Sequence, residues 1–192
     1  MTTDAARPAS HEAQRRIIDA GIRCVVREGV QGASMSVIAA EADVSKALLH
    51  YHFADRGRLL AAVVTTLGQR LIAREQGMLE HGEAASTIDL LWRWLDAEFQ
   101  CGELRALLEL RTVRDASVRQ AVEQTGGWRR TAAATTVDRL FARLGLVPRV
   151  PATLIGDTTV AFVDGLVLEY ELGCDTRVSF DVFWLAILSL GE

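Results

Sequence analysis

Cysteine is scarce in this sequence and long apolar runs are missing, and both features exclude classes of protein. The three cysteines, Cys24, Cys101 and Cys174, are odd in number, lie far apart and form no C-x-x-C pair. This argues against a disulfide framework and a zinc site, and we expect a reducing, cytoplasmic environment. No run reaches about 18 apolar residues and the N-terminus has no apolar signal core, so we expect neither secretion nor a membrane-spanning helix.

Catalytic signatures are missing too. The sequence contains no H-E-x-x-H motif, nucleophile elbow, phosphate-binding loop or dinucleotide fingerprint. His50 and His52 are closely spaced, but side chains two positions apart on a helix point about 200° from each other and cannot bind one ion there. We therefore expect a protein that is not an enzyme and that needs no metal or cofactor.

The sequence is rich in apolar residues with helical spacing. Of the 192 residues, 49% are hydrophobic and 24% are charged, as in ordinary soluble globular proteins. This length allows one large domain or two small ones. Because strand-like alternation never continues beyond a few residues, and no repeats or low-complexity blocks occur, the predicted fold class is all-α.

The stretch from Ser34 to Phe53 predicts two short helices joined by a tight turn. Ser34 and Ser45 are each placed to cap a helix, and Asp43-Val44 interrupts the helical period between them. In the second helix Leu49 and Phe53 lie four residues apart and share one face. A short helix, a turn and a second short helix form the helix-turn-helix arrangement.

The opposite face of the second helix carries a polar patch. Lys46 and His50 are four residues apart, as are Ala47 and Tyr51, so the patch combines a cation, a small residue and two ring donors. Such a surface suits the major groove of B-DNA, which admits a helix. The alternative is a merely solvated polar face, and the preceding helix and turn favour the DNA-reading interpretation.

The segment Val44-Ser45-Lys46-Ala47-Leu48-Leu49-His50-Tyr51-His52-Phe53, with Asp55-Arg56 and Leu59-Leu60, resembles the DNA-binding signature of TetR-type transcriptional repressors. The resemblance covers roughly residues 11 to 60. Three positions depart from the family pattern: Asp43 stands where Gly is usual, His50 where Tyr is usual, and Gly57 where an acidic residue is common. Asp tolerates the left-handed conformation that such a turn requires, at some cost.

The resemblance implies a dimer that binds a near-palindromic double-stranded DNA operator and is released by a small-molecule effector. Two reading helices would then lie about 34–36 Å apart, or a multiple of that distance. We expect base contacts from Lys46, Ala47, His50 and Tyr51. Positioning of the DNA backbone is expected from a second set of residues: Ser34, Ser36, Leu48 (through its backbone), His52 and Arg56.

Charge is distributed unevenly along the chain. Residues 1–60 hold eight Lys or Arg against seven Asp or Glu, whereas residues 61–192 hold thirteen against eighteen. A near-neutral head on an acidic body is consistent with a protein that docks on DNA with one end. Lys46 is the only lysine. Further phosphate contacts would therefore come from arginine, hydroxyl groups, histidine and helix N-termini.

Seven further helices are expected around the helix-turn-helix. A first helix runs from a Ser10 cap to about Glu28 and ends at Gly29, and residues 1–9, with Arg7, form a loose arm. Asp55 is placed to cap a helix from Arg56 to Glu80, roughly 35 Å long, which couples the helix-turn-helix, the reading head, to the rest of the chain. After a break at residues 81–85, the remaining helices cover 88–101, a segment opened by Gly102, 117–144 with a kink at Gly126-Gly127, 152–172 and 179–190.

Two sets of apolar residues are candidates for binding. The helix that starts near Ile88 is apolar nearly all round, which is typical of a buried helix or of a pocket wall, and both alternatives stay open. The candidate ligand-binding residues are Leu91, Trp92, Leu95, Phe99, Trp128 and Phe162. The last two helices either pack inside one chain or against a second copy, and the resemblance implies a dimer interface at Phe162, Leu166, Tyr170, Phe183, Trp184 and Ile187.

Taken together, these patterns predict a helix-turn-helix DNA-binding domain over residues 1–55 and a helical-bundle domain for ligand binding and dimerisation over residues 56–192. The predicted function is a TetR-type transcriptional regulator, acting as a repressor, whose effector is an apolar or aromatic small molecule. The alternative is a helical small-molecule carrier that does not bind DNA. A salt titration on duplex DNA separates the two, because only the regulator loses DNA affinity steeply with salt.

Overall fold

The computed structural model describes residues 6–80 and 87–192, with side chains from residue 10 onward. The described residues form helices and contain no β-strand; the extended pairing is limited to an isolated bridge between Pro148 and Gly191. None of the described helices is long and apolar enough to cross a membrane. The helices are α1 (Ala6–Gly32), α2 (Met35–Glu41), α3 (Lys46–His52), α4 (Arg56–Glu80), α5 (Thr87–Cys101), α6 (Glu103–Leu110), α7 (Ala116–Leu144), α8 (Ala152–Glu171) and α9 (Thr176–Leu188).

The predicted start signals at three helices are confirmed. Ser34 accepts a hydrogen bond from the Val37 N–H at 3.2 Å, and Ser45 accepts one from the Leu48 N–H at 3.1 Å. Asp55 likewise accepts from the Arg58 N–H at 2.8 Å, at the start of α4. Each side chain satisfies a backbone donor that has no partner inside its own helix.

Several predicted boundaries were wrong. The helix α1 begins at Ala6, inside the predicted arm, because Pro8 falls in the first turn, where a missing N–H costs nothing. Gly102 ends α5 with φ 71° and does not open the next helix. The last helix begins at Thr176, because Asp175 caps it by accepting from the Arg177 N–H at 3.0 Å. The predicted kink at Gly126-Gly127 is absent from α7.

The predicted end of the first helix at Gly29 is confirmed as a local interruption. Gly29 has φ 72° and ψ 174°, and helical structure resumes for one more turn, to Gly32. The predicted break at residues 81–85 and the arm before Ala6 lie outside the described residues, as does the side chain of Arg7.

The chain divides into two compact units, one formed by residues 1–67 and 106–123 and the other by residues 68–105 and 124–192. Helix α4 begins in the first unit and ends in the second. In the first unit, α1 passes close to its neighbours at Gly21, where a Cβ atom would lie 2.9 Å from Val63 Cγ2. The expected boundary at residue 55 separates a DNA-binding domain from a domain for ligand binding and dimerisation, and it stays a prediction.

The second unit contains a buried ion pair and a close helix crossing. Glu98 is 2% exposed and binds Arg74 through two hydrogen bonds of 2.6 and 2.7 Å, a bidentate pairing. Helix α8 crosses α7 at Gly156, where a Cβ atom would lie 2.6 Å from the backbone nitrogen of Ala134. Glycine is therefore required there by close approach of two backbones and not by an unusual φ angle.

Replacement of Gly156 by alanine should lower the free energy of unfolding by about 1–3 kcal/mol, because the added methyl group meets the α7 backbone. Gly127→Ala is the matched control: Gly127 is helical, and an added Cβ would have no atom within 4 Å. This control should stabilise the protein by up to about 1 kcal/mol. Urea unfolding followed by circular dichroism measures both. Equal effects of the two changes would contradict the close crossing.

Candidate nucleic-acid interface and ligand cavity

The turn between α2 and α3 is held by backbone hydrogen bonds and by one arginine of α1. The Val44 N–H donates to the Ala39 carbonyl at 3.0 Å, and Arg16 Nη2 donates to the Ala42 carbonyl at 2.7 Å. Asp43 has φ 52° and, among the described residues, is the non-glycine residue with a positive φ. The left-handed conformation expected for this position is therefore confirmed.

Helix α3 buries one face and exposes the other. Leu49 is 1% exposed and Phe53 is 5% exposed, as their spacing predicted. The predicted base-contacting residues Lys46, Ala47 and His50 are all exposed. Tyr51 is 78% exposed, which is unusual for an aromatic side chain, so its ring is available to a partner.

Of the residues predicted to position the DNA backbone, some are exposed and others already contact the protein itself. Ser36 and Leu48 are exposed, and so is Ser34, although its hydroxyl oxygen already accepts the Val37 N–H. His52 is half-buried beneath Tyr51, with the two rings edge to face at 5.2 Å, and its Nε2 has no hydrogen-bond partner in the described part of the chain.

Arg56 is largely committed to the protein itself. Its Nε donates to the Ala33 carbonyl at 3.0 Å and its Nη2 donates to the Val30 carbonyl. The Val30 N–H donates in turn to Glu109 Oε1, at 2.7 Å. The end of α1 is thus held from both sides by charged groups. A DNA contact by Arg56 stays a prediction and falls to its remaining nitrogen.

The second unit contains a cavity of about 40 Å³, enough for a few water molecules. Its wall is mainly apolar and aromatic, with five helices contributing. The lining residues are Leu71, Ile72 and Glu75 of α4, Leu91 and Trp94 of α5, Arg129, Ala133 and Thr136 of α7, Thr159, Val160, Phe162 and Val163 of α8, and Phe180, Phe183 and Trp184 of α9.

The predicted ligand-binding residues are only partly placed at this cavity. Leu91 and Phe162 line it. Leu95 and Phe99 are buried elsewhere in the core, which corrects their placement at a pocket wall. Both belong to a helix that is apolar nearly all round, and such a helix does not reveal which of its sides meets a cavity.

The two tryptophans expected at the pocket are also elsewhere. Trp92 packs edge to face on Phe180 at 5.1 Å, and the Arg177 guanidinium covers its ring at the same distance. Trp128 lines a separate, open depression with Gln69, Ile72, Ala73 and Gln76. The tryptophans that do line the cavity are Trp94 and Trp184, and neither was among the predicted ligand-binding residues.

Three of the predicted dimer-interface residues, Leu166, Trp184 and Ile187, are buried within the single chain, so their placement on an outer surface was wrong. Phe162 and Phe183 stack on each other at 4.0 Å and both line the cavity. Because α8 and α9 are apolar on almost every side, their sequences do not distinguish an inner from an outer face.

Tyr170, the sixth predicted interface residue, is half-buried and stacks on Phe99 at 4.6 Å. The apolar residues that α8 and α9 leave exposed are different ones, and each is more than half exposed. They are Leu154 and Leu168 on α8, its C-cap residue Leu172, and Val178, Val182 and Leu185 on α9.

Glu75 is the carboxylic acid among the lining residues, and it was not among the predicted ligand-binding residues. It is 9% exposed, and Thr136 Oγ1 donates a hydrogen bond of 2.6 Å to its Oε1. Burial raises the pKa of the Glu75 carboxyl above its ordinary value, while the Thr136 hydrogen bond and Arg129 act in the opposite direction. Arg129 itself donates to Asp164 Oδ1 at 2.6 Å.

These features define a helix-turn-helix protein with a second, cavity-containing helical unit. Residues 17–63 match the family model for bacterial regulatory proteins of the tetR family. The chain is 27% identical over 192 residues to the HTH-type transcriptional regulator BetI of Brucella anthropi, covering 93% of this chain and 94% of that protein. The helix-turn-helix residues therefore match the tetR family, and over most of its length the chain is similar to a transcriptional regulator of the HTH type.

Two further likenesses concern parts of the chain or its fold. The HTH-type nicotine-responsive transcriptional repressor HdnoR of Paenarthrobacter nicotinovorans is 33% identical over 84 residues, and the match spans only 43% of that protein and 41% of this chain. A solved transcriptional regulator from Rhodococcus sp. RHA1 superposes with a TM-score of 0.77 at 16% identity, covering 90% of this chain and 93% of that one. At this identity the likeness shows the fold alone.

The strain at Asp43 gives a test of the turn geometry. Asp43→Val should lower the free energy of unfolding by about 1–2 kcal/mol, because a β-branched residue is disfavoured at positive φ. Asp43→Asn, which tolerates the same conformation, is the control and should stay within about 0.5 kcal/mol of the parent. The Asp43 side chain is fully exposed, so neither change removes a packing contact. Chemical denaturation measures both, and a Val variant as stable as the parent would contradict the strained turn.

Proposed function

We propose that this chain is a repressor that binds a near-palindromic DNA operator as a dimer and leaves it when a small molecule occupies the cavity of the second unit. The observation that carries the proposal is the exposed face of α3, where Lys46, Ala47, His50 and Tyr51 face solvent while Leu49 and Phe53 anchor the helix. Such a regulator would act in the cytoplasm, where the DNA is.

The exposed groups of α3 suit base reading in the major groove. The Lys46 ammonium can donate to guanine O6 or N7, and the Ala47 methyl group can contact a thymine methyl group. His50 supplies a donor or an acceptor according to its tautomer. Ser36 and the N-terminal N–H groups of α4 would make phosphate contacts, which set the register of the helix on DNA.

A second copy of the chain is the proposed occupant of the exposed apolar surface on α8 and α9. Leu168, Leu172, Val182 and Leu185 are large apolar side chains in contact with water, and burying each one contributes roughly 1.5–3 kcal/mol. In a twofold dimer every such residue is buried twice. The surface replaces the interface expected from sequence, and it lies on the same two helices.

Helix α4 is the proposed connection between effector and DNA. It begins at Arg56, which holds the end of α1, and its later residues Leu71, Ile72 and Glu75 line the cavity. An effector that shifts this helix would change the position of the reading head. Coupling free energies of about 1–3 kcal/mol are typical of such linkage, and they act equally in both directions.

Lys46→Ala should weaken binding to a duplex selected from a random DNA pool by about 1–3 kcal/mol and should lower the log–log salt slope by about 1. Arg139→Ala, an exposed charge in α7, is the control and should leave affinity and slope unchanged. Fluorescence anisotropy at several salt concentrations measures both. Failure to bind any duplex even at low salt would favour a small-molecule carrier instead.

Leu185→Arg should convert the dimer to a monomer, because two buried guanidinium groups would face an apolar surface. Val147→Arg is the matched control, since Val147 is equally exposed but belongs to the connection between α7 and α8. Sedimentation velocity gives the oligomeric state, and DNA binding by the monomer should be weaker. A dimer that survives Leu185→Arg and Leu168→Arg together would rule out this face.

A further inference from the structure

The cavity contains a buried acid whose charge no basic residue balances directly. The structure gives Glu75 one hydrogen bond, from Thr136, and, in the described part of the chain, no ion pair. A carboxylate that leaves water without a cation nearby is strongly disfavoured unless it takes up a proton. Glu75 is only 9% exposed and is therefore largely removed from water. It lines the cavity and is not enclosed by close-packed side chains.

Arg129 does not supply the missing charge. It is the basic residue among those lining the cavity, and its Nη2 already pairs with Asp164 Oδ1 at 2.6 Å. The residues that α5 and α9 contribute to the wall are uncharged. With Glu75 ionised, the three charged groups Glu75, Arg129 and Asp164 carry one excess negative charge, so an anionic ligand would be repelled and a cation attracted.

The remainder of the wall selects the kind of cation. Trp94, Phe180 and Trp184 present aromatic rings to the space, and aromatic faces attract organic cations more readily than strongly hydrated metal ions. A hard metal ion needs six or more oxygen ligands, which one carboxylate and the hydroxyl groups of Thr136 and Thr159 do not provide. The buried Trp94 Nε1 has no hydrogen-bond partner among described residues and can donate to an acceptor on a ligand.

We propose that the cavity binds an organic cation, a protonated or quaternary amine on an apolar body, with its positive charge against the Glu75 carboxylate. The role of this cavity as an effector site rests on the regulatory function proposed above. The binding of the cation itself does not depend on that function. Because the cavity now has room for only a few water molecules, the body of the ligand must displace side chains. Phe162 and Phe183 are half-buried aromatic rings of the wall, and their movement would enlarge the space.

The competing assignment is a neutral ligand. A protonated Glu75 can donate a hydrogen bond to a carbonyl or hydroxyl oxygen, as buried acids do elsewhere. The two assignments differ in their dependence on ligand charge and on pH. A cation requires the ionised carboxylate, whereas a neutral acceptor requires the protonated acid.

The test compares two ligands of the same shape class, 2-phenylethylamine and 2-phenylethanol, by isothermal titration calorimetry on the full chain without DNA. The amine should bind roughly tenfold or more tightly than the alcohol. Glu75→Gln should abolish this preference and leave alcohol binding within about threefold. Glu80→Gln, the same change at an exposed position of α4, should keep the preference.

Two further measurements show whether a lost ligand preference in Glu75→Gln is caused by unfolding of the variant. Glu75→Gln should unfold at the same temperature as the parent or higher, because it removes a buried ionisable group. Binding of the permanently charged benzyltrimethylammonium ion should strengthen as pH rises towards the elevated pKa of Glu75 and level off above it, since the cation displaces a proton. In Glu75→Gln this pH dependence should vanish.

The outcomes separate the binding site from the regulatory function. Equal affinity for amine and alcohol, an unchanged preference in Glu75→Gln, or no binding of either probe at about 10 mM would overturn the cation site. A cation site that depends on Glu75 in a protein that binds no duplex DNA would leave the inference standing and would refute the proposed repressor function. Release of selected DNA by the amine and not by the alcohol would support both.

Discussion

Helix α3 cannot exist without the rest of its unit, and this constraint explains much of the reading head. An isolated helix of seven residues is unstable in water because nucleation costs more than so few hydrogen bonds return. The burial of Leu49 and Phe53 and the Ser45 cap provide the stability that its length cannot. As a consequence, one face of α3 is buried in the core of the unit. The other face is thereby presented to solvent in a fixed orientation, which is what a groove-reading surface needs.

The end of α1 shows how charged side chains define backbone geometry in the same unit. Gly29 interrupts the helix, and the following residues would leave donors and acceptors unsatisfied. Glu109 accepts the Val30 N–H, and Arg56 donates to the Val30 and Ala33 carbonyls. Two helices that continue beyond this unit, α4 and α6, therefore supply the groups that hold it. A change in the position of either helix would therefore alter the hydrogen bonds at the end of α1.

The second unit keeps polar groups in a cavity wall that is otherwise mainly apolar and aromatic. Its cavity is surrounded by aromatic rings, yet it retains Glu75, Arg129 and Thr136, whose burial would be unfavourable in a simple core. Arg129 donates to Asp164 and Thr136 donates to Glu75, yet burial still raises the pKa of the Glu75 carboxyl above its ordinary value. Polar groups kept at such a place are expected of a site that discriminates between ligands, because a purely apolar cavity would bind by size alone.

The sequence by itself determined the all-α class, the caps at Ser34, Ser45 and Asp55, the left-handed turn at Asp43 and the two faces of α3. These features are local: each depends on spacing within about four residues, where side-chain and backbone geometry are closely linked. Only the tertiary structure decided which sides of α5, α8 and α9 face inward, because those helices are apolar nearly all round and carry no local signal of orientation. For the same reason the cavity, with Trp94 and Glu75 in its wall, and the exposed stripe of α8 and α9 emerged only when helices distant in sequence were brought together.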